Sequence, residues 1–132
     1  MRHQFLIKKA LISAIAPLAI IISPLAGQAQ TSSDNPGSVE IEYRALIELN
    51  KAKNLARQAA EKANGGLSQY RAESAMHGPA QQTNYQQLAD GVWQFTFQGR
   101  RPTSSQYTIE SVVVVDTNTG EITVEYNGPI RE

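Results

Sequence analysis

The chain has no cysteine among its 132 residues. That excludes a disulfide, a thiolate metal site and a lipid-anchored lipoprotein, so the fold must be held together by its core. Histidine is nearly as scarce. Of the two present, only His77 lies outside the first 29 residues, and one imidazole without thiolates cannot build an ordinary zinc, copper or iron site within one chain. No cofactor or metal is expected. Runs of lysine and arginine are missing too. Outside the first 29 residues, which hold Arg2, Lys8 and Lys9, the count is 9 basic against 12 acidic side chains, a formal charge of −3. A mildly acidic chain with no basic stripe is a poor partner for nucleic acid or an anionic membrane.

The first residues read as a secretory signal. Arg2, Lys8 and Lys9 give a positive start, Ala10 to Ile22 is apolar except for Ser13 and Pro17, and Gly27-Gln28-Ala29 supplies small residues for cleavage after Ala29. Thirteen helical residues reach about 20 Å against a hydrocarbon core of about 30 Å, which argues against a retained membrane anchor. No Arg-Arg pair precedes the run, so the twin-arginine route is not indicated. The layout is bacterial in type, and the expected destination is the periplasm or the medium, with no membrane attachment after cleavage. Removing 29 of 132 residues leaves 103, enough for one domain.

Residues 30–38, including Thr31-Ser32-Ser33-Asp34-Asn35-Pro36-Gly37-Ser38, contain no apolar anchor and read as a flexible linker. The single domain then occupies residues 39–132. Over Val39 to Ala63, Ile41, Ala45, Leu49, Ala52, Leu55, Ala56, Ala59 and Ala63 recur at spacings of three and four and predict one helical face. Asn64-Gly65-Gly66 ends it. Leu46 and Ile47 fall off that stripe, leaving open a break at Asn50, with one continuous helix the favoured reading. Leu67 to Met76 alternates weakly and predicts a strand. Gly78-Pro79 and the glutamine-rich stretch to Ala89 read as a surface loop, and Asp90-Gly91 as a tight turn.

The last third is the clearest. Trp93, Phe95 and Phe97 alternate with Gln94, Thr96 and Gln98. Gly99 to Ser105 reads as a loop. Tyr107, Ile109, Ser111, Val113 and Val115 share a face of the next strand, with Val112 and Val114 opposite, the mark of a central strand. Asp116 to Gly120 suits a hairpin closed by a left-handed glycine, and Ile122, Val124 and Tyr126 then alternate with glutamates and a threonine. The expected fold is α+β, an N-terminal helix packed on one face of a three- to four-stranded antiparallel meander. The expected state is a monomer or weak oligomer.

Chemistry is harder to find. No Gly-x-Ser-x-Gly or comparable nucleophile motif occurs. Glu110, Glu121 and Glu125 fall on the polar face of the sheet, where solvent explains them, and Asp116 to Glu121 matches a calcium loop in residue types alone. No catalytic residue is assigned. Partner binding is the remaining class. It is assigned to Arg100 and Arg101, because a guanidinium grips carboxylates bidentately, and to Trp93 at the head of the aromatic strand, although alternation alone predicts that ring to be core. Strand addition at a sheet edge is a further route.

Val113-Val114-Val115-Asp116-Thr117-Asn118-Thr119-Gly120-Glu121-Ile122 is similar to the V-D-x-x-T-G-E-V ending of PepSY domains, and the alanine-rich Lys51–Gly66 segment resembles the helix that opens them. The resemblance spans Asn50 to Tyr126, with the glutamine-rich stretch between Gly78 and Gly91 outside the pattern. It implies a small α+β unit of an exported bacterial protein, of the kind that restrains or chaperones a metalloprotease, and it brings no catalytic residues. The expected function is an exported, non-enzymatic module that binds a protein or peptide and modulates a protease. The alternative is a small-ligand carrier with a cleft between helix and sheet lined by Trp93, Phe95 and Tyr107.

Overall fold

The computed structural model describes residues 36–132, so the proposed signal and the first part of the linker lie outside the described residues. Helix α1 runs Pro36–Ala63 without a break. Proline suits the first turn of a helix, where its missing N–H has no partner to lose, so Pro36, Gly37 and Ser38, expected in the linker, are helical. Asn50 is no cap. Its amide donates to the Leu46 carbonyl at 2.9 Å, inside the continuous helix. Asn64, Gly65 and Gly66 close α1, the glycines at φ +92° and +90°, with Gly66 N–H returning to the Glu61 carbonyl at 2.8 Å.

Five strands form one antiparallel sheet: β1 (Arg71–Ala72), β2 (Tyr85–Ala89), β3 (Val92–Arg100), β4 (Ile109–Asp116) and β5 (Ile122–Pro129). β4 pairs with both β3 and β5, whereas β1 and β2 share the other edge of β3. The helix-on-antiparallel-sheet expectation holds, with five strands in place of three or four. Two segments differ from their sequence patterns. Only Arg71 and Ala72 of the Leu67–Met76 stretch pair with β3, at Arg100 and Gly99, because a 3₁₀ turn at Ser74–His77 follows at once. Tyr85 to Ala89, expected as loop, is a strand paired with Val92–Phe95. Its Gln86 and Gln87 carry no apolar signal because the pairing is made by backbone and both faces stay exposed. β3 also continues through Gly99 and Arg100, so the loop that follows is shorter than expected.

The core lies between α1 and the face of the sheet carrying Trp93, Phe95, Phe97, Ser111, Val113 and Val115, all buried. Ala52, Ala56 and Ala60, each with no exposed surface, form the contact row of the helix. Methyl side chains let the helix axis lie close to the ring-bearing face, and each large apolar side chain so buried stabilises the fold by about 1.5–3 kcal/mol. Ile41, 71 % exposed, and Ala45 and Ala63, also exposed, leave the predicted stripe. For Ile41 and Ala45 the reason is length. Twenty-eight helical residues span about 42 Å, while eight or nine strand residues reach about 30 Å, so the first turns of α1 extend past the sheet.

A β-bulge decides the two faces of β5. Val113 pairs with Val124, but the next residue back, Val112, pairs with Tyr126, leaving Glu125 as the extra residue. Ile122 and Val124, opposite Val115 and Val113, share the helix side of the sheet, and the bulge passes Tyr126 to the opposite side with Val112. Simple alternation had put all three on one face.

Tyr70 is fully buried, and the hydroxyl end of its ring occupies the space a side chain at Gly99 would take. Its hydroxyl has no partner in hydrogen-bond geometry. Burial pushes the phenol up to about 12, and the nearby Ser111 offsets this only partly while donating its own proton to Asn127 Oδ1 at 2.8 Å. Tyr70 thus contributes its stability fully below pH ~10, the unfolded value, and loses it as pH rises to about 12. In Tyr70→Phe the alkaline limb of stability between pH ~10 and ~12 should flatten, with stability at pH 7 within ~1 kcal/mol of the parent. Urea titrations at both pH values measure this, and an unchanged alkaline limb would contradict the assignment.

Candidate functional site

The helix presents two parallel rows of small or apolar residues. Ala52, Ala56 and Ala60 meet the middle of the sheet, and Leu55, Ala59 and Ala63 lie one row to the side, with Leu55 and Ala59 half-buried. On the sheet, Ile122 and Val124 are each 38 % exposed although their pairing with Val115 and Val113 turns them toward α1. These five residues, with the stems of Gln58 and Lys62, line an open apolar groove of about 610 Å³ between helix and β5. Among the described residues β5 is the outermost strand on that side, and the groove opens onto its edge. That edge is guarded. β5 carries the Glu125 bulge and Pro129, which lacks an N–H, and both discourage a further strand from pairing along its whole length.

The end of the groove is fixed by an amide pair. Asn64 Nδ2 donates to Asn127 Oδ1 at 3.0 Å and Asn127 Nδ2 to Asn64 Oδ1 at 2.9 Å, while Asn64 also reaches the Ala60 carbonyl at 2.7 Å. This ties the last turn of α1 to β5. On the opposite flank of α1, Asn50 Oδ1 accepts from Ala80 N–H at 3.0 Å, and the Lys53 ammonium donates to the Gly78 carbonyl. Lys53 is 4 % exposed, and burial, then the neighbouring Arg57, holds its pKa below the ordinary lysine value. The groove flank is open, and the other flank is closed by this clamp.

The residues assigned to partner binding from sequence are not brought together. Trp93 is 7 % exposed and packs edge-on to Tyr85, ring centroids 6.0 Å apart, which places it in the core. Arg100 lies on β3 and donates to the Ser104 carbonyl at 2.7 Å, ordering its own loop. Arg101 is exposed in that loop. The expected cleft is displaced as well. Trp93 and Phe95 are buried, Tyr107 is exposed outside the strand, and the opening between helix and sheet lies at β5. The sequence did carry a signal for it: a helical stripe two rows wide is broader than one sheet contact needs.

Asp116 is committed to its turn. Its Oδ1 accepts from Asn118 N–H at 2.8 Å and Thr119 N–H at 3.3 Å, and Gly120, at φ +78°, donates to the Asp116 carbonyl at 2.8 Å. Thr117 and Asn118 then donate to Gly91 and Asp90 carbonyls, joining this hairpin to the Asp90-Gly91 turn. Among the described residues no three histidine or carboxylate side chains converge on a metal position, and no helix is long and apolar enough to cross a membrane.

The chain matches no family model, no curated protein and no solved structure.

Proposed function

We propose that the protein is an exported, non-enzymatic binding module whose groove between α1 and β5 takes an extended apolar segment of a protein partner, in the manner its PepSY resemblance implies for a protease modulator. The observation that carries the reading is the groove itself: apolar walls left open beside a free strand. Ile122–Val124 offer backbone groups to an incoming strand, and Leu55, Ala59 and Val124 offer a wall for its alternate side chains. Peptides selected from a random library on residues 30–132 should carry apolar residues at alternate positions. Val124→Glu, at an exposed position, should weaken the best of them at least tenfold with the melting temperature little changed. Selection of no peptide, or of peptides indifferent to Val124→Glu, contradicts the proposal.

The groove also favours a second reading, a carrier of a small amphipathic molecule. Its volume lies within the range of about 300–1,000 Å³ typical of ligand sites, with Lys62 on its rim. Displacement of a bound apolar dye by peptide or by a medium-chain fatty acid separates the two.

A further inference from the structure

The face of the sheet turned away from α1 carries a second arrangement that the groove does not use. Arg131 folds back across it. Its guanidinium lies 3.6 Å from the centroid of the Tyr126 ring, its Nε and Nη2 donate to Glu110 Oε1 at 2.8 and 2.5 Å, and its backbone N–H donates to Glu110 Oε2 at 3.3 Å. An aromatic face below and a carboxylate at the rim are the two elements that select a guanidinium over an ammonium, one by stacking and the other by directed N–H donors.

The seat lies on the sheet itself. Glu110 is on β4, the strand paired on both sides, and with Arg131 over it its side chain is 12 % exposed. Tyr126 is placed on this face by the bulge at Glu125. Its ring is held by a 2.6 Å hydrogen bond from its hydroxyl to the Pro129 carbonyl, across Gly128, where an added Cβ would come within 3.1 Å of that hydroxyl. Beside them Val112, Thr96 and Glu125 line a depression of about 400 Å³, with Gln94 donating to Glu125 at 2.9 Å. A second carboxylate at the edge of the depression adds to its preference for a cation. Arg131, by contrast, is half exposed, with a side-chain exposure of 52 %. A seat carried by the sheet and an occupant half open to solvent are what a competed site requires.

We propose that Glu110 and Tyr126 form a recognition site for an arginine side chain of a protein partner, and that Arg131 fills this site in cis and limits access to it. The surface is separate from the α1–β5 groove and does not depend on it.

The test uses acetyl-Ala-Arg-Ala-amide as probe, with backbone amide shifts of Ile109–Ser111 and Glu125–Asn127 as readout. Arg131→Ala should bind the probe at least tenfold more tightly than the parent protein. The lysine version of the probe should bind more weakly than the arginine one, and Arg131→Ala with Glu110→Gln should lose binding. Val124→Glu should leave all of this unchanged, so failure of the groove reading stays distinguishable. Arg131→Lys keeps the stem and the charge while giving up the paired N–H donors, and supplies the same comparison if the alanine variant unfolds. Equal affinity of parent and Arg131 variants, or binding that survives Glu110→Gln, overturns the site and leaves Arg131 a structural tie alone.

Discussion

Gly99→Ala is expected to destabilise the protein by about 3–5 kcal/mol, at the upper end of what a single methyl group does. The residue does not need its glycine for backbone freedom. It needs it for space. A Cβ there would stand 2.0, 2.3 and 2.4 Å from Cε2, Cζ and Oη of Tyr70. Tyr70 has no exposed surface, so its ring can leave that position only by opening the core, which forfeits the burial of a large aromatic side chain. In a domain of this size ~1 kcal/mol corresponds to about 4–8 °C, so the melting temperature should fall by at least 12 °C. Tyr70→Ala is costly by itself for the cavity it leaves. Combined with Gly99→Ala it should cost much less than the sum of the two, because the ring that the methyl strikes is gone. Thermal and urea unfolding of the four proteins measure the coupling. Additive losses would show that Gly99 and Tyr70 do not compete for the same space.

Gly99 also marks where the sequence stops being legible. Trp93, Phe95 and Phe97 announce a strand by alternation, and the next residue of that face is a glycine, which reads as the start of a loop. Its partner in the core is Tyr70, from a stretch with only weak alternation. Each residue is ambiguous alone, and the pair is decided by a contact 29 positions apart in the chain. The Val112–Val115 run and the Asp116–Gly120 turn were readable because their signals are local: β-branched residues in series, then a side chain that caps its own turn. β2 was unreadable for the opposite reason. Backbone pairing with β3 holds it, and apart from Tyr85, whose ring meets Trp93 and Phe95, its side chains record nothing of that.

The candidate sites follow the same division. That the helix would cover the sheet was legible from the spacing of its alanines. Where the cover ends was not, because it depends on the Glu125 bulge, and a bulge leaves the residue types of a strand unchanged while moving Tyr126 to the other face. One inserted residue thereby sets both surfaces. It ends the apolar wall of the groove at Val124 and supplies the ring beneath Arg131. The arginines that stood out in the sequence, Arg100 and Arg101, did so by adjacency, whereas the one with a built seat is Arg131, near the end of the chain and without a neighbour of its kind.

Lys53 gives the second large effect, and two substitutions separate its roles. The side chain combines a buried four-carbon stem with an ammonium that donates to the Gly78 carbonyl. Lys53→Ala removes both. It leaves a cavity beside Leu49 and Ala56 and a carbonyl without its charged donor, an expected loss of about 2–5 kcal/mol by analogy with truncating a buried long apolar side chain. Lys53→Met keeps the stem volume and removes the charge. Because burial lowers the pKa of Lys53, the folded state disfavours the charged form relative to the unfolded chain, so the parent pays a desolvation cost at neutral pH that eases only as pH rises toward the ordinary lysine value near 10.5. Methionine escapes that cost and should leave global stability within ~1 kcal/mol of the parent. What it cannot do is hold Gly78-Pro79-Ala80 against α1. Hydrogen exchange at the Ala80 amide, whose segment is then tied to α1 by its bond to Asn50 Oδ1 alone, should therefore quicken at least tenfold in Lys53→Met while core amides of β4 stay protected. If methionine is as destabilising as alanine, the ammonium is a net stabiliser of the whole fold and not a local clamp.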